Sequence, residues 1–164
     1  LPSGWDKGCA ALELAREISD ILVTGIEEIS LHVAAMLGAK FTVLTMTDKR
    51  VPSKVAHVRR FKLEGSLASV RPLGMSVAEI EADEKRACAQ ILKVAKEAAE
   101  QDGAEVIVLG CAGMAGYADI VRSDLGMEVI DPSSLALKVT EALVSAGLKQ
   151  SKRGYYSYPP SMLR

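Results

Sequence analysis

The sequence predicts an α/β fold, with a mainly parallel sheet and helices on both of its faces. Short apolar, β-branched segments alternate along the chain with longer segments whose apolar residues recur at helical spacing. Helices of ten or more residues between strands require crossover connections, which join parallel strands. The 164 residues are 49% hydrophobic and 25% charged, which is typical of a folded globular chain long enough for one domain.

In the first half of the chain the order is helix, strand, helix, strand, helix. The predicted elements cover residues 10–19, 21–24, 27–37, 40–45 and 52–61. The segment KFTVLT at 40–45 is β-branched and apolar, as a strand buried on both faces should be. Gly38 ends the helix before it, and Pro52 suits the first turn of the helix after it.

The second half continues the alternation from strand to helix. The predicted elements are strands at 68–71, 105–109 and 127–130, and helices at 77–102, from about 115, and at 132–147. The helix at 77–102 has the clearest apolar periodicity and ends at Asp102 and Gly103. Asp131 is expected to cap the last helix, and Pro132 to open it.

Composition excludes several classes of function. Twenty Lys and Arg balance 21 Asp and Glu, which leaves no basic excess for nucleic acid or an anionic membrane. Two Phe, four Tyr and one Trp provide few surfaces for stacking on bases. The longest apolar runs are much shorter than a membrane span. Three widely spaced Cys indicate neither a disulfide framework nor a metal site, and they favour a reducing cytoplasm.

The strongest candidate for chemistry is Cys111. Parallel sheets bind ligands beyond the carboxyl ends of their strands, so the candidate ligand-binding segments are residues 45–48, 110–114 and 131–134. Cys111 lies between a buried strand and the next predicted helix, where a helix N-terminus would stabilise a thiolate and backbone N–H groups could hold an enolate oxygen. These features suit a base next to a carbonyl; the alternative is a small, inert core residue.

The other cysteines and both histidines give weaker signals. Cys88 lies on the apolar stripe of the helix at 77–102, where core packing is expected. Cys9 could begin a helix as Cys111 does, but residues 1–7 do not read as a strand, and a surface thiol is favoured. His32 and His57 have no partner at ligand spacing, so we expect helix-surface residues and no metal site.

Residues 108–115 (VLGCAGMA) resemble the second-cysteine motif of the aspartate/glutamate/hydantoin racemase superfamily, particularly of its hydantoin and allantoin racemases. Other segments agree with the same register across residues 10–160. They are GIEE at 25–28, FTVLT at 41–45, VIDP at 129–132 and LKQSKRG at 148–154. The breadth of this match makes it more specific than the cysteine motif alone.

The resemblance implies a racemase or epimerase without cofactor or metal, in which two cysteines face each other across the α-carbon of a small hydantoin-like substrate. One thiolate removes the α-proton and the opposite thiol returns a proton. By position Cys111 takes one role; Cys9 takes the other if a turn is shortened, because counting back without gaps reaches Asp6. The implied substrate-binding residues are Thr45, Gly110, Ala112 and Gly113.

Members of this superfamily also carry an upstream half that this sequence does not match. We therefore expect residues 1–164 to form one racemase-like domain, incomplete at its N-terminus, with an extended tail at 148–164. An incomplete sheet leaves open edges and apolar surface, which predicts a homo-oligomer. Two alternatives stay open: a one-cysteine decarboxylase or isomerase of the same superfamily, and a non-catalytic fragment that keeps the fold for assembly.

Overall fold

The computed structural model describes residues 7–162, apart from the side chains of residues 7–10 and Ser161. Within this range the helices and strands follow one another as α1 (Lys7–Ile18), α2 (Ile26–Leu37), β1 (Phe41–Thr45), α3 (Val51–Arg60), β2 (Leu67–Pro72), α4 (Val77–Ala82), α5 (Glu84–Asp102), β3 (Val106–Leu109), α6 (Ala118–Leu125), β4 (Glu128–Ile130) and α7 (Pro132–Ser145). The predicted α/β class is confirmed.

The four strands form one parallel sheet in the order β2-β1-β3-β4. Val43 of β1 pairs with Val70 of β2 on one side and with Val108 of β3 on the other. Every residue of β1 and of β3 is buried, as the apolar composition of both segments predicts. Because the strands run in the same direction, their carboxyl ends lie along one edge of the sheet.

Side chains alternate between two apolar layers, one on each face of the sheet. Leu44, Ile107 and Leu109 point to the face covered by α4, α5 and α6. Phe41 and Val43 point to the opposite face, which α2 and α3 cover. Helices on both faces therefore enclose the sheet, as the sequence predicts.

The described chain divides into two compact units. Residues 26–135 contain the whole sheet and its covering helices, and they contain every residue that lines the two cavities described below. Residues 7–25 and 136–162 form the other unit, in which the segment after α7 has no further α-helix or strand. That segment turns near Gly154 and ends in a 3-10 turn at Pro160–Met162.

The strand predicted at residues 21–24 is wrong, because this segment has no strand partner within the described chain. Instead, the side-chain amide of Gln150 forms hydrogen bonds with both backbone groups of Val23. The N–H of Val23 donates to Oε1 of Gln150 at 2.8 Å, and Nε2 of Gln150 donates to the carbonyl of Val23 at 2.7 Å. Nε of Arg16 donates to the same carbonyl at 3.0 Å, so side chains satisfy the backbone groups of Val23 that a sheet would have paired.

The single helix predicted at residues 77–102 is also wrong, because the helix is interrupted at Asp83, which separates α4 from α5. Asp83 has φ −145° and ψ 86°, and its carboxylate accepts the N–H of Arg86 at 3.0 Å. Asp83 therefore caps a new helix. The apolar stripe runs through the break, so periodicity alone does not reveal it.

Candidate active site

Cys111 lies at the carboxyl edge of the sheet, two residues after β3, and its side chain is half-buried. It caps a single 3-10 turn at Ala112–Met114, in which the N–H of Met114 donates to the carbonyl of Cys111 at 3.0 Å. The α-helix predicted from about residue 115 begins only at Ala118. The premise that an α-helix starts beside Cys111 is therefore wrong; a short turn takes its place.

This turn presents backbone donors next to the thiol. The N–H groups of Ala112 and Gly113 donate to no acceptor within the described part of the chain, as is usual for the first N–H groups of a helical turn. Ala112 is exposed, and the Cβ position of Gly113 lies 3.8 Å from the sulfur of Cys111. Two donors for a substrate oxygen thus lie beside the thiol.

Gly110 brings β3 close to β1 immediately before the thiol. Its N–H donates to the carbonyl of Leu44 at 2.7 Å. A Cβ added at Gly110 would lie 2.4 Å from that same carbonyl oxygen and 2.9 Å from Cγ1 of Val43. No side chain fits there, so glycine is required by the packing of the sheet.

Two cavities meet at Cys111. One, of about 190 Å³, lies between the sheet and α2; the other, of about 400 Å³, lies beside α3. Both are lined by Lys54, Gly110 and Cys111. Ala112 and Pro132 also line the smaller cavity, which places two of the predicted crevice segments at the site. The thiol is therefore open to small molecules and is not sealed in the core.

Thr45 lines the larger cavity together with Cys111. It is the last residue of β1, and only 1% of its surface is exposed. The structure thus places Thr45, Gly110 and Cys111 around one cavity, with Ala112 on the adjoining wall. Gly113 adjoins the sulfur but lines neither cavity.

A charged cluster on the cavity walls is not predicted from the sequence. One carboxylate oxygen of Glu27 accepts a hydrogen bond from the ammonium of Lys54 at 2.8 Å. The other oxygen is hydrogen-bonded to Nδ1 of His57 at 2.6 Å. These side chains are 29%, 17% and 20% exposed, respectively. His57 is therefore not a free helix-surface residue. The only sequence signal is that Lys54 and His57, three residues apart, share one face of α3.

The other candidates lie away from this cavity pair or outside the described side chains. Cys9 falls within α1, but its side chain lies outside the described residues. Cys88 is a half-buried free thiol on α5. His32 stays on the surface of α2, where Nδ1 bonds the carbonyl of Glu28 at 2.7 Å. The described side chains include no group of three or more His, Cys, Asp or Glu arranged to hold a metal ion.

A family model described as Asp/Glu/Hydantoin racemase matches residues 8–140. The chain belongs to the Asp/Glu/hydantoin racemase family. The resemblance carried by the residues around Cys111 is thereby confirmed.

None of the helices in the described range has the length and apolar content needed to cross a membrane.

Relatives within the family are hydantoin and allantoin racemases. A hydantoin racemase of Pseudomonas sp. strain NS671 is 36% identical over 152 residues, covering 93% of this chain and 61% of that protein. The crystal structure of an allantoin racemase from Pseudomonas fluorescens superposes with a TM-score of 0.87 at 36% identity, covering 91% and 63% of the two chains. An allantoin racemase from Klebsiella pneumoniae superposes with a TM-score of 0.86 at 30% identity, covering 91% and 61%. The chain thus spans about three fifths of the length of these relatives.

Proposed function

We propose that this protein is a racemase or epimerase of hydantoin-like compounds and that Cys111 is one of its acid/base groups. The observation that carries the proposal is the position of Cys111, a half-buried thiol at the carboxyl edge of the sheet where two cavities meet. Relatives that match nearly all of this chain are named hydantoin and allantoin racemases, which supports the substrate class.

The proposed reaction consists of two proton transfers at one carbon. A thiolate at Cys111 takes the proton from the carbon next to the substrate carbonyl, and the electron pair of the C–H bond passes to the carbonyl oxygen as an enolate. The N–H groups of Ala112 and Gly113 stabilise the charge on that oxygen. A thiol on the opposite face then protonates the carbon, which inverts its configuration.

Cys9 is the proposed partner on the opposite face. The reaction needs only a base, an acid and oxyanion donors, so the proposal includes neither a cofactor nor a metal. The proposal also includes a location in the reducing cytoplasm. Acid/base chemistry requires Cys111 as a free thiol or thiolate and not as a disulfide.

The test is circular dichroism of enantiopure 5-substituted hydantoins and of allantoin, each corrected for racemisation in buffer. The chain is compared with Cys111→Ser, Cys9→Ser and a matched control, Cys88→Ser, whose thiol lines neither cavity. Loss of a positioned acid/base group lowers rates by about 10²- to 10⁴-fold. We expect a loss of at least 100-fold in Cys111→Ser and Cys9→Ser, and little change in Cys88→Ser.

The pattern of losses separates the possible functions. Loss in Cys111→Ser alone would indicate one-base chemistry, as in a decarboxylase or isomerase with a single cysteine. Full activity in Cys111→Ser would refute the role of this thiol. No turnover of any substrate by the unsubstituted chain would favour a non-catalytic protein.

A further inference from the structure

The larger cavity beside Cys111 has a basic wall. Its polar lining consists of three hydroxyl-bearing and three nitrogen-bearing side chains: Thr45, Thr47, Ser53, Arg50, Lys54 and His57. Among the described residues, no Asp or Glu lines this cavity. Its volume of about 400 Å³ falls within the range of small-molecule sites.

Glu27 holds two of these basic groups, Lys54 and His57, through hydrogen bonds. Its carboxylate lies on the wall of the smaller cavity, with one oxygen on Lys54 and the other on Nδ1 of His57. Because a carboxylate only accepts, Nδ1 of His57 carries the proton. Within the described chain Lys54 donates one bond to Glu27, and its ammonium has two further donors for a ligand.

The charges do not cancel at this wall. Glu27 offsets the ammonium of Lys54, and Arg50 forms no ion pair with any described residue. At least one positive charge therefore remains, even when His57 is neutral. A ligand with a negative group accepts charge-assisted hydrogen bonds from Arg50 and Lys54. A neutral ligand of the same shape accepts only weaker hydrogen bonds from them.

We propose that the larger cavity is a subsite for an anionic substituent, so that the preferred substrate is a hydantoin-like ring whose side chain ends in a carboxylate. The proposal rests on the proposed racemase function. The ring carbon lies at Cys111, and the carboxylate lies against Arg50 and Lys54. The smaller cavity, which Glu27 lines, is left for the neutral part of the ligand.

Two ligands of nearly the same shape test the charge. They are 5-(2-carboxyethyl)hydantoin and its amide, 5-(2-carbamoylethyl)hydantoin, and the readout is the ratio of their kcat/KM values for racemisation at pH 7. The unsubstituted chain should favour the acid. Arg50→Gln should lower the ratio about threefold, because Arg50 is exposed. Lys54→Gln should lower it about tenfold, because this less exposed cation is lost and the carboxylate of Glu27 loses one of its two partners.

The opposite sign is expected for Glu27→Gln. Removing this carboxylate unmasks Lys54, so the ratio should rise, whereas a purely structural role of Glu27 would lower turnover of acid and amide alike. Lys49→Gln is the matched control, because Lys49 is an exposed neighbour of Arg50 that does not line the cavity. Its ratio should stay unchanged.

A ratio of one or less in the unsubstituted chain, or a fall in Glu27→Gln, overturns the subsite. Failure of the racemase proposal is distinguishable, because calorimetry measures binding of both hydantoins without turnover. If neither compound is racemised but the acid binds more tightly and Arg50→Gln weakens that preference, the subsite stands and the proposed activity falls. Equal binding of acid and amide refutes the subsite whatever the activity.

Discussion

Substituting Gly110 by alanine tests whether the approach of β3 to β1 limits the site. The new Cβ would lie 2.4 Å from the carbonyl oxygen of Leu44 and 2.9 Å from Cγ1 of Val43. The first neighbour is backbone and cannot rotate away, so the strands must separate by roughly 1 Å. Overpacking of this kind costs about 1–3 kcal/mol, and loss of the hydrogen bond from Gly110 to Leu44 adds about 1 kcal/mol.

The expected loss is therefore about 2–4 kcal/mol out of a typical stability of roughly 5–15 kcal/mol. Urea unfolding followed by far-ultraviolet circular dichroism should show a midpoint about 1–2 M lower. Gly65→Ala is the matched control, because no heavy atom lies within 4 Å of its Cβ position. We expect a change of about 0.5 kcal/mol or less there. Equal midpoints for Gly110→Ala and the unsubstituted chain would refute the reasoning.

Three further predictions concern stability and assembly. Arg71 donates to Asp102 at 2.6 and 2.9 Å and holds the pKa of that carboxyl below its ordinary value. The pair therefore stabilises the fold above about pH 4, and the benefit is lost as the pH falls through the depressed pKa. Unfolding between pH 7 and pH 2 should show this loss, with a shallower decline in Asp102→Asn. Gln150→Ala removes the two hydrogen bonds between Gln150 and Val23, including the one from the N–H of Val23, and should speed amide exchange at Val23 in a mass-spectrometric assay; unchanged exchange would contradict this. Open sheet edges predict self-association, which light scattering would refute by detecting only a monodisperse monomer.

The sequence predicts the parts of the fold that depend on local composition. β1 and β3 are recognisable because every residue in them is suited to burial, and the helices between the strands then indicate a parallel sheet. The position of Cys111 also follows, since the residue after a buried parallel strand must lie near the carboxyl edge. The break at Asp83 does not follow, because the apolar stripe of α4 continues into α5 across it.

Contacts between distant elements explain what the sequence does not reveal at the site. Glu27 lies on α2 and its partners Lys54 and His57 lie on α3, and only packing of both helices on the same sheet face brings these groups together. The missing strand at residues 21–24 has a similar cause. Within it the backbone of Val23 is bonded by Gln150, which is 127 residues away in the chain, and no local signal encodes that contact.

Variants of Gly110 and Cys111 separate two ways in which the proposed activity would be lost. Gly110 has no side chain to offer a substrate, yet its replacement displaces the strand that carries the thiol, so stability and turnover should fall together. Replacing the sulfur of Cys111 by oxygen changes the acid/base group but hardly changes its volume, so turnover should fall while the urea midpoint stays nearly constant. Measuring both quantities on both variants therefore distinguishes loss of chemistry from loss of position. A fall in midpoint as large for Cys111→Ser as for Gly110→Ala would mean that the thiol supports packing, and the case for its role in proton transfer would weaken.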